Sequence, residues 1–429
     1  MATTFLSQKI GVRYVFLSAI VFVLIAAAVF AWPQTSRPFG SSPDASAAVA
    51  ANTAFAIDLY QQLKTQPGNL FFSPYSISSA LAMTYAGARG QTETEMAKVL
   101  HFDPGQTNVH AGFRALTDRL NDLQRWNNIK LLTANSLWSQ KNYPFTNTFL
   151  NLVKKDYQAE AQSVDFAKAP EAARNDINSW VGKKTDGNIQ DLVDAGEFTP
   201  LTRLVLCNAI YFKGKWETQF DPANTRPAPF HVNVDQTVTV PMMSVKSRFK
   251  IARSDDGSLK LLEMSYVGDD LSMIILLPAA DPGWELSDQS TLSGLEANLT
   301  PQNLQAWLAT LDQAGSHEAA IFIPRFTTTQ SFNLSEQLKS MGMPSAFDMD
   351  KADFSGMDGT RELSLSAVLH KAFVEVNEEG TEAAAATMVI VKTWGMPERF
   401  IVDHPFIFLI RDNASGAILF LGRMVDPTK

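Results

Sequence analysis

Six histidines, one cysteine and two adjacent-aspartate pairs are the side chains of this sequence best suited to chemistry, and their spacing is the first constraint on function. His101, His110, His231, His317, His370 and His404 include no two at the three-to-five spacing by which zinc ligands share one element. Cys207 stands alone, which excludes internal disulfides and a four-cysteine zinc site. It lies inside LVLCNAIYF (Leu204–Phe212), where a thiol reads as a small buried hydrophobe rather than a nucleophile. Asp255-Asp256 and Asp269-Asp270 adjoin glycines and read as solvated turns, not acid/base pairs. G-x-S-x-G, G-x-x-x-x-G-K-[ST], G-x-G-x-x-G and H-E-x-x-H are absent. The chain reads as a protein that is not an enzyme and needs neither metal nor cofactor.

Charge narrows the partners. Lys and Arg number 36 against 44 Asp and Glu, a formal net charge of −8, which argues against a nucleic-acid binder. Arg114, Arg119, Arg125 and Lys130 could form a polyanion-binding face, but Asp118 and Asp122 interrupt it. A solvated helix face is the expectation.

Lys9 and Arg13 precede an uncharged run from Tyr14 to Trp32, 19 residues long. That length and flank suit a secretory signal, with Val29-Phe30-Ala31 as the cleavage site, or an uncleaved anchor that meets the membrane. Either reading exports the rest of the chain, to be secreted, periplasmic or membrane-anchored. Residues 33–50 are rich in Pro, Ser and Ala and read as a linker, leaving 51–429 as the folded domain.

Apolar periodicity predicts helices from Asn52, at Tyr75–Ala86, Phe113–Trp126, Leu150–Tyr157 and Ala172–Val181. Thr92-Glu93-Thr94-Glu95 predicts a capping box opening a helix through Leu100, and Thr300-Pro301 the start of another. Strands are expected at Leu204–Phe212, Val238–Met243, Lys260–Tyr266, Met273–Leu277, Ala320–Phe326, Val368–Val376 and within Phe400–Leu421. Helices thus fill the first third and strands most of the rest. With no repeat or internal linker after Asn52, the pattern implies one large α+β domain.

One stretch conflicts with itself. EEGTEAAAATMVIV (Glu378–Val391) is good helix material by composition. Laid out as a strand, it places Thr381, Ala383, Ala385, Thr387, Val389 and Val391 on one face, all small or β-branched. Glu382, Ala384, Ala386, Met388, Ile390 and Lys392 share the other, which collects both charges. A segment readable as loop in one state and as buried strand in another marks a functional site.

HKAFVEVNEEGTEAAAAT (His370–Thr387) resembles the reactive-loop hinge of the serpins. The likeness continues through NLFFSPYSISSALAMTYAGARGQTETEMAKVL (Asn69–Leu100), INSWVGKKTDGNIQDL (Ile177–Leu192), LVLCNAIYFKGKWETQF (Leu204–Phe220), VPMM (Val240–Met243) and DHPFIFLIRDNASGAILFLGRMVDP (Asp403–Pro427). Asn188 departs from the Lys that many serpins carry after the equivalent of Gly187.

The resemblance implies three β-sheets, about eight or nine helices, and an exposed reactive-centre loop attacked by a target serine protease. The cleaved loop then inserts into the large sheet with the protease still bound through an acyl-ester, a strand-addition behaviour known for the family. It implies a hinge of Glu378, Gly380, Thr381, Glu382, Ala383, Ala384, Ala385, Ala386 and Thr387. Sheet gating maps onto Ser73, Ser76, Asn208 and His370, with Trp216 where the loop first enters. Counting from Gly380 at the family's spacing places the reactive bond at Trp394–Gly395, within a loop spanning 378–399. An aromatic before the cut suits chymotrypsin-like enzymes. A register one residue shorter would present Thr393 to elastase-like ones. The expectation is a monomeric suicide inhibitor; the alternative is a non-inhibitory serpin acting as carrier or chaperone.

Overall fold

The computed structural model describes residues 42–102, 106–126, 129–279, 291–380 and 398–429. The expected export segment (1–32) therefore lies outside the described residues. Among those described, no helix is long and apolar enough to cross a membrane.

The first half is mainly helical: α1 (Pro43–Leu63), α2 (Pro74–Tyr85), α3 (Gly90–Val99), α4 (Gln106–Trp126), α5 (Asn147–Tyr157) and α6 (Pro170–Lys184). Strands β1 (Leu70–Phe72), β2 (Ile129–Gln140) and β3 (Glu160–Val164) are set among them. Then come β4 (Leu204–Gly214), β5 (Arg226–His231), β6 (Thr237–Arg253), β7 (Leu259–Ser265) and β8 (Leu271–Pro278). Helices α7 (Leu292–Asn298) and α8 (Pro301–Gln313) lead to β9 (His317–Pro324), β10 (Phe326–Asn333), α9 (Ser335–Met341) and α10 (Ser355–Asp358). The chain closes with β11 (Leu365–Val376), β12 (Glu398–Ile401), β13 (Phe406–Asp412) and β14 (Ile418–Met424).

Three helices start by one recipe. Ser42-Pro43, Ser73-Pro74 and Thr300-Pro301 each pair a hydroxyl accepting a first-turn N–H with a proline that needs no such bond. Because Ser42 caps α1, residues 43–50 are helix rather than the linker expected there. Ala45 and Ala48 are buried, and Gly112 of α4 approaches so closely that a Cβ would lie 2.4 Å from the Asp44 carbonyl oxygen. The small residues that suggested a linker are an interhelical contact surface.

The capping box at Thr92–Glu95 is not formed. Helix α3 opens earlier, at Gly90, with no side-chain cap. The Thr92 hydroxyl instead accepts from the Asp353 N–H at 3.0 Å, and Glu95 accepts from Ser345. The solvated-face reading of α4 also fails at Arg119, whose side chain is buried against Asp270 (2.6 Å) and Asp412 (3.1 Å). Asp270 is accordingly a buried ion-pair partner rather than a solvated turn residue. Arg114 and Lys130 are paired separately, with Asp156 and Asp186.

The sheets number three in the sense expected, two of them joined through β6. The end of β6 pairs β7 and its start β5, while β9 spans the middle, giving among the described residues one nine-stranded sheet in which β5 branches from β6. Edge strand β5 carries Pro227 and Pro229, two residues without an N–H to offer. The other sheet has five strands in the order β10-β11-β4-β2-β3. Strand β2, which periodicity did not flag, pairs β4 along eleven positions near its centre.

Both faces of β4 are buried, hence its largely apolar sequence around Asn208. Leu204, Leu206, Ile210 and Phe212 enter the main core. Val205, Cys207, Ala209 and Tyr211 pack under Ala173, Ile177 and Val181 of α6. Cys207 is fully buried, and burial pushes its thiol pKa up, as expected of a structural cysteine.

Candidate functional site

Strands β4 and β11 lie side by side and parallel, from Leu365 opposite Leu204 to Val374 opposite Phe212. Parallel neighbours that are so remote in sequence form a seam with no connection of their own. Four side chains singled out from sequence meet at its middle. Asn208 lies opposite His370 on one side and Asn135 of β2 on the other, so three strands contribute one row. Nδ1 of His370 bonds Oδ1 of Asn208, and Nδ2 of Asn208 donates to the Ser76 carbonyl at 3.0 Å and to Oδ1 of Asn135.

Helix α2 closes the network from below. The Ser73 hydroxyl caps the helix by accepting from the Ser76 N–H at 3.1 Å, and donates to the Leu419 carbonyl of β14 at 2.6 Å. The Ser73 N–H donates to Nε2 of His370 at 3.1 Å. Ser76 Oγ reaches Oδ1 of Asn135 at 3.3 Å. Ser73, Ser76, Asn208 and His370 are all buried, and desolvation lowers the His370 pKa to about 3. Parting the seam therefore means breaking a fully engaged polar row whose members would otherwise be left unpaired. Asn135 was not anticipated. A lone asparagine inside IKLLTANSLWSQ has no local signature, since its partners arrive from β4 and α2.

The loop end of the seam is built around Trp216. Its Nε1 donates to the Asn377 carbonyl at 3.0 Å and its N–H to the Glu379 carbonyl at 3.2 Å, while the Phe220 N–H takes the Glu378 carbonyl at 2.9 Å. The indole stacks on Tyr266 at 4.5 Å. The Glu378 carboxylate is nearly buried, accepting from the Thr225 hydroxyl at 2.7 Å with Arg325 at 3.5 Å. Gly380 adopts φ 67°, in the left-handed region. A Cβ there would lie 2.3 Å from the Trp216 nitrogen and 2.5 Å from the Gly214 carbonyl oxygen, both backbone atoms that cannot yield. Thr225 and Arg325 were likewise invisible to sequence reasoning, because neither belongs to a motif around the hinge.

Residues Thr381, Glu382, Ala383, Ala384, Ala385, Ala386 and Thr387 of the expected hinge, and Trp394 and Gly395 of the expected reactive bond, lie outside the described residues. The chain is described again at β12, which runs parallel to β9 with Glu398 opposite Ala319. Glu398 pairs with His317 at 2.7 Å. Among the described residues, no group of three or more His, Cys, Asp or Glu is arranged to hold a metal.

The family model for the serpins (serine protease inhibitors) matches residues 50–427. Leukocyte elastase inhibitor of Bos taurus is 44% identical over 383 residues, covering 88% of this chain and 99% of that protein. Serpin B8 of Homo sapiens is 42% identical over 382 residues, covering 88% and 98%. Among solved structures, uncleaved ovalbumin superposes with a TM-score of 0.80 at 32% identity, covering 88% of this chain and 99% of that one. Human thyroxine-binding globulin gives 0.79 at 31%, covering 90% and 100%. With the β4–β11 seam, the Ser73–His370 row and the Gly380 turn in place, the chain belongs to the serpin family of serine protease inhibitors.

Proposed function

We propose that this serpin is a suicide-substrate inhibitor of serine endopeptidases rather than a carrier or chaperone. The observation that carries the reading is the direction of the strands on either side of the seam. Chain leaving the end of β11 and reversing at Gly380 would run antiparallel to β11. Because β4 is parallel to β11, the same segment would be antiparallel to β4 as well. Insertion would replace one parallel pair by two antiparallel ones, which are slightly more stable per residue. The face formed by Thr381, Ala383, Ala385 and Thr387 supports the reading, because it carries no charge to be buried.

The proposed reactive bond is Trp394–Gly395, which favours chymotrypsin-like targets. The relatives named as elastase inhibitors keep elastase-like enzymes in view through the alternative cut after Thr393. Incubation with a panel of both enzyme types, read as an SDS-stable complex, tests the mechanism. The mass of the released C-terminal fragment tests the bond. A fragment starting at Gly395 supports Trp394; one starting at Trp394 transfers the assignment to Thr393. Clean cleavage without any complex would favour the non-inhibitory reading. Export of a monomer remains part of the proposal, on the strength of Lys9, Arg13 and the apolar run Tyr14–Trp32. N-terminal sequencing of the protein recovered from its native host separates a cleaved signal from a retained anchor.

A further inference from the structure

Tyr211 and Phe373 sit directly opposite each other across the β4–β11 seam. Their rings stack with centroids 5.3 Å apart and planes inclined by 18°. Tyr211 is buried and Phe373 half-buried, on the face shared with Cys207 and α6, opposite to the face of the Ser73–His370 row. Among the described residues this is the one aromatic pair that bridges the two strands.

Its height in the sheet is informative. Only the Val374–Phe212 pair lies beyond it in the described register, and the Trp216–Asn377 contacts follow at once. His370 and Asn208 lie further from the loop. On the same face as the stack, the next opposed residues are Lys371 and Ala209. Lys371 turns its ammonium to the Gln190 and Asp191 carbonyls at 2.7 and 3.1 Å, away from β4. Leu369 and Cys207 come after it. A strand arriving from Gly380 would therefore meet the aromatic stack before it meets the polar row.

We propose that Tyr211 and Phe373 are a positioning pair for loop insertion, an aromatic contact across the loop end of the seam that the incoming strand must part before it reaches the polar row, and that their stacking sets how readily the sheet opens. The argument rests on the insertion reading given above. Stacked rings attract each other beyond the area they bury. The threonine and alanine side chains of residues 381–387 cannot replace that ring–ring contact, so splitting the stack weighs on the opening step. The seam would then carry two closures on opposite faces at different heights, a polar one and an aromatic one.

A synthetic peptide of residues 381–392 offered to the full-length protein isolates the opening step from any protease. Its annealing is followed by native-gel mobility and thermal midpoint. Phe373→Leu keeps apolar bulk and removes the ring; it should anneal about three- to tenfold faster than wild type. Tyr211→Leu should do the same, and the double variant should show little further acceleration, because one interaction is lost only once. Tyr211→Phe keeps the stack and should anneal at the wild-type rate. Wild-type rates in both leucine variants, or accelerations that simply multiply in the double variant, would overturn the role of the stack while leaving insertion intact. If neither wild type nor variants take up the peptide, insertion itself is refuted and the proposal goes with it. The second strand's variant keeps the test decisive if one substitution does not fold.

Discussion

The backbone N–H of Ser73 points at Nε2 of His370 across 3.1 Å. An N–H can only donate, so Nε2 must carry the lone pair, and the ring proton sits on Nδ1, where it is given to Oδ1 of Asn208. The imidazole is thereby held neutral in one tautomer. Protonating Nε2 would set two donors against each other inside the sheet.

The pH dependence follows from that sign. Burial lowers the folded-state pKa of His370 to about 3, against about 6.5 for an unfolded histidine. Its stabilising contribution is thus complete above about 6.5 and is lost progressively as pH falls toward about 3. His110, lowered to about 4 by burial, acts in the same direction. The thermal midpoint of the uncleaved protein should fall through this window, and His370→Gln should flatten part of the fall. An unchanged slope in the variant would show that His370 titrates freely.

His317 behaves oppositely. The Glu398 carboxylate beside it raises its pKa, so the contact is fully present below the unfolded value and is lost as pH rises through the raised one. Glu398 begins β12, a four-residue edge strand. Hydrogen exchange at residues 398–401, corrected for intrinsic rates, should therefore accelerate as pH rises beyond the ordinary histidine range. Glu398→Gln should abolish that pH dependence.

Thr381→Arg should turn an inhibitor into a substrate. A cation on the face destined for the sheet interior would stall insertion at its first step, leaving the acyl-ester time to hydrolyse. Gel analysis should show cleaved serpin in place of the SDS-stable complex. Undiminished trapping would mean that the two faces of the loop have been assigned the wrong way round.

Gly380→Ala should lower the thermal midpoint of the uncleaved form. The positive φ alone costs a β-carbon about 1–2 kcal/mol, and the 2.3 Å approach to Trp216 adds to it. Calorimetry on the intact variant measures the loss.

Cleavage within the loop should have the reverse effect, raising the midpoint markedly. Val389 and Val391 would each gain roughly 1.5–2 kcal/mol on burial, together with the hydrogen bonds of a full strand. A midpoint that stays put after clean cleavage would argue for the non-inhibitory alternative.

What could be read in advance followed the range of the signal. Helices α2, α5 and α6 announce themselves through local apolar periodicity, and the Ser73, Ser76, Asn208 and His370 assembly was reachable because long motifs carried the family resemblance. Arg119 was misread because charges along one helix say nothing of Asp270 and Asp412, which arrive from loops and strands 151 and 293 residues away. Strand β2 was missed because its polar centre, Asn135-Ser136, breaks the alternation in order to serve the seam. Residues 43–50 were misread for a related reason: small side chains serve equally in a linker and in a tight helix contact, and only Gly112 tells them apart.

The prolines of β5 have a consequence for storage. Where Pro227 and Pro229 face outward, the rim of the nine-stranded sheet lacks the donors that a neighbouring chain would need to add a strand there. At that edge a neighbouring chain finds no foothold, and the route through the seam opens only when its fastenings give way. The shelf life of the protein should therefore depend steeply on temperature and weakly on concentration, with a first-order lag governed by opening rather than by collision.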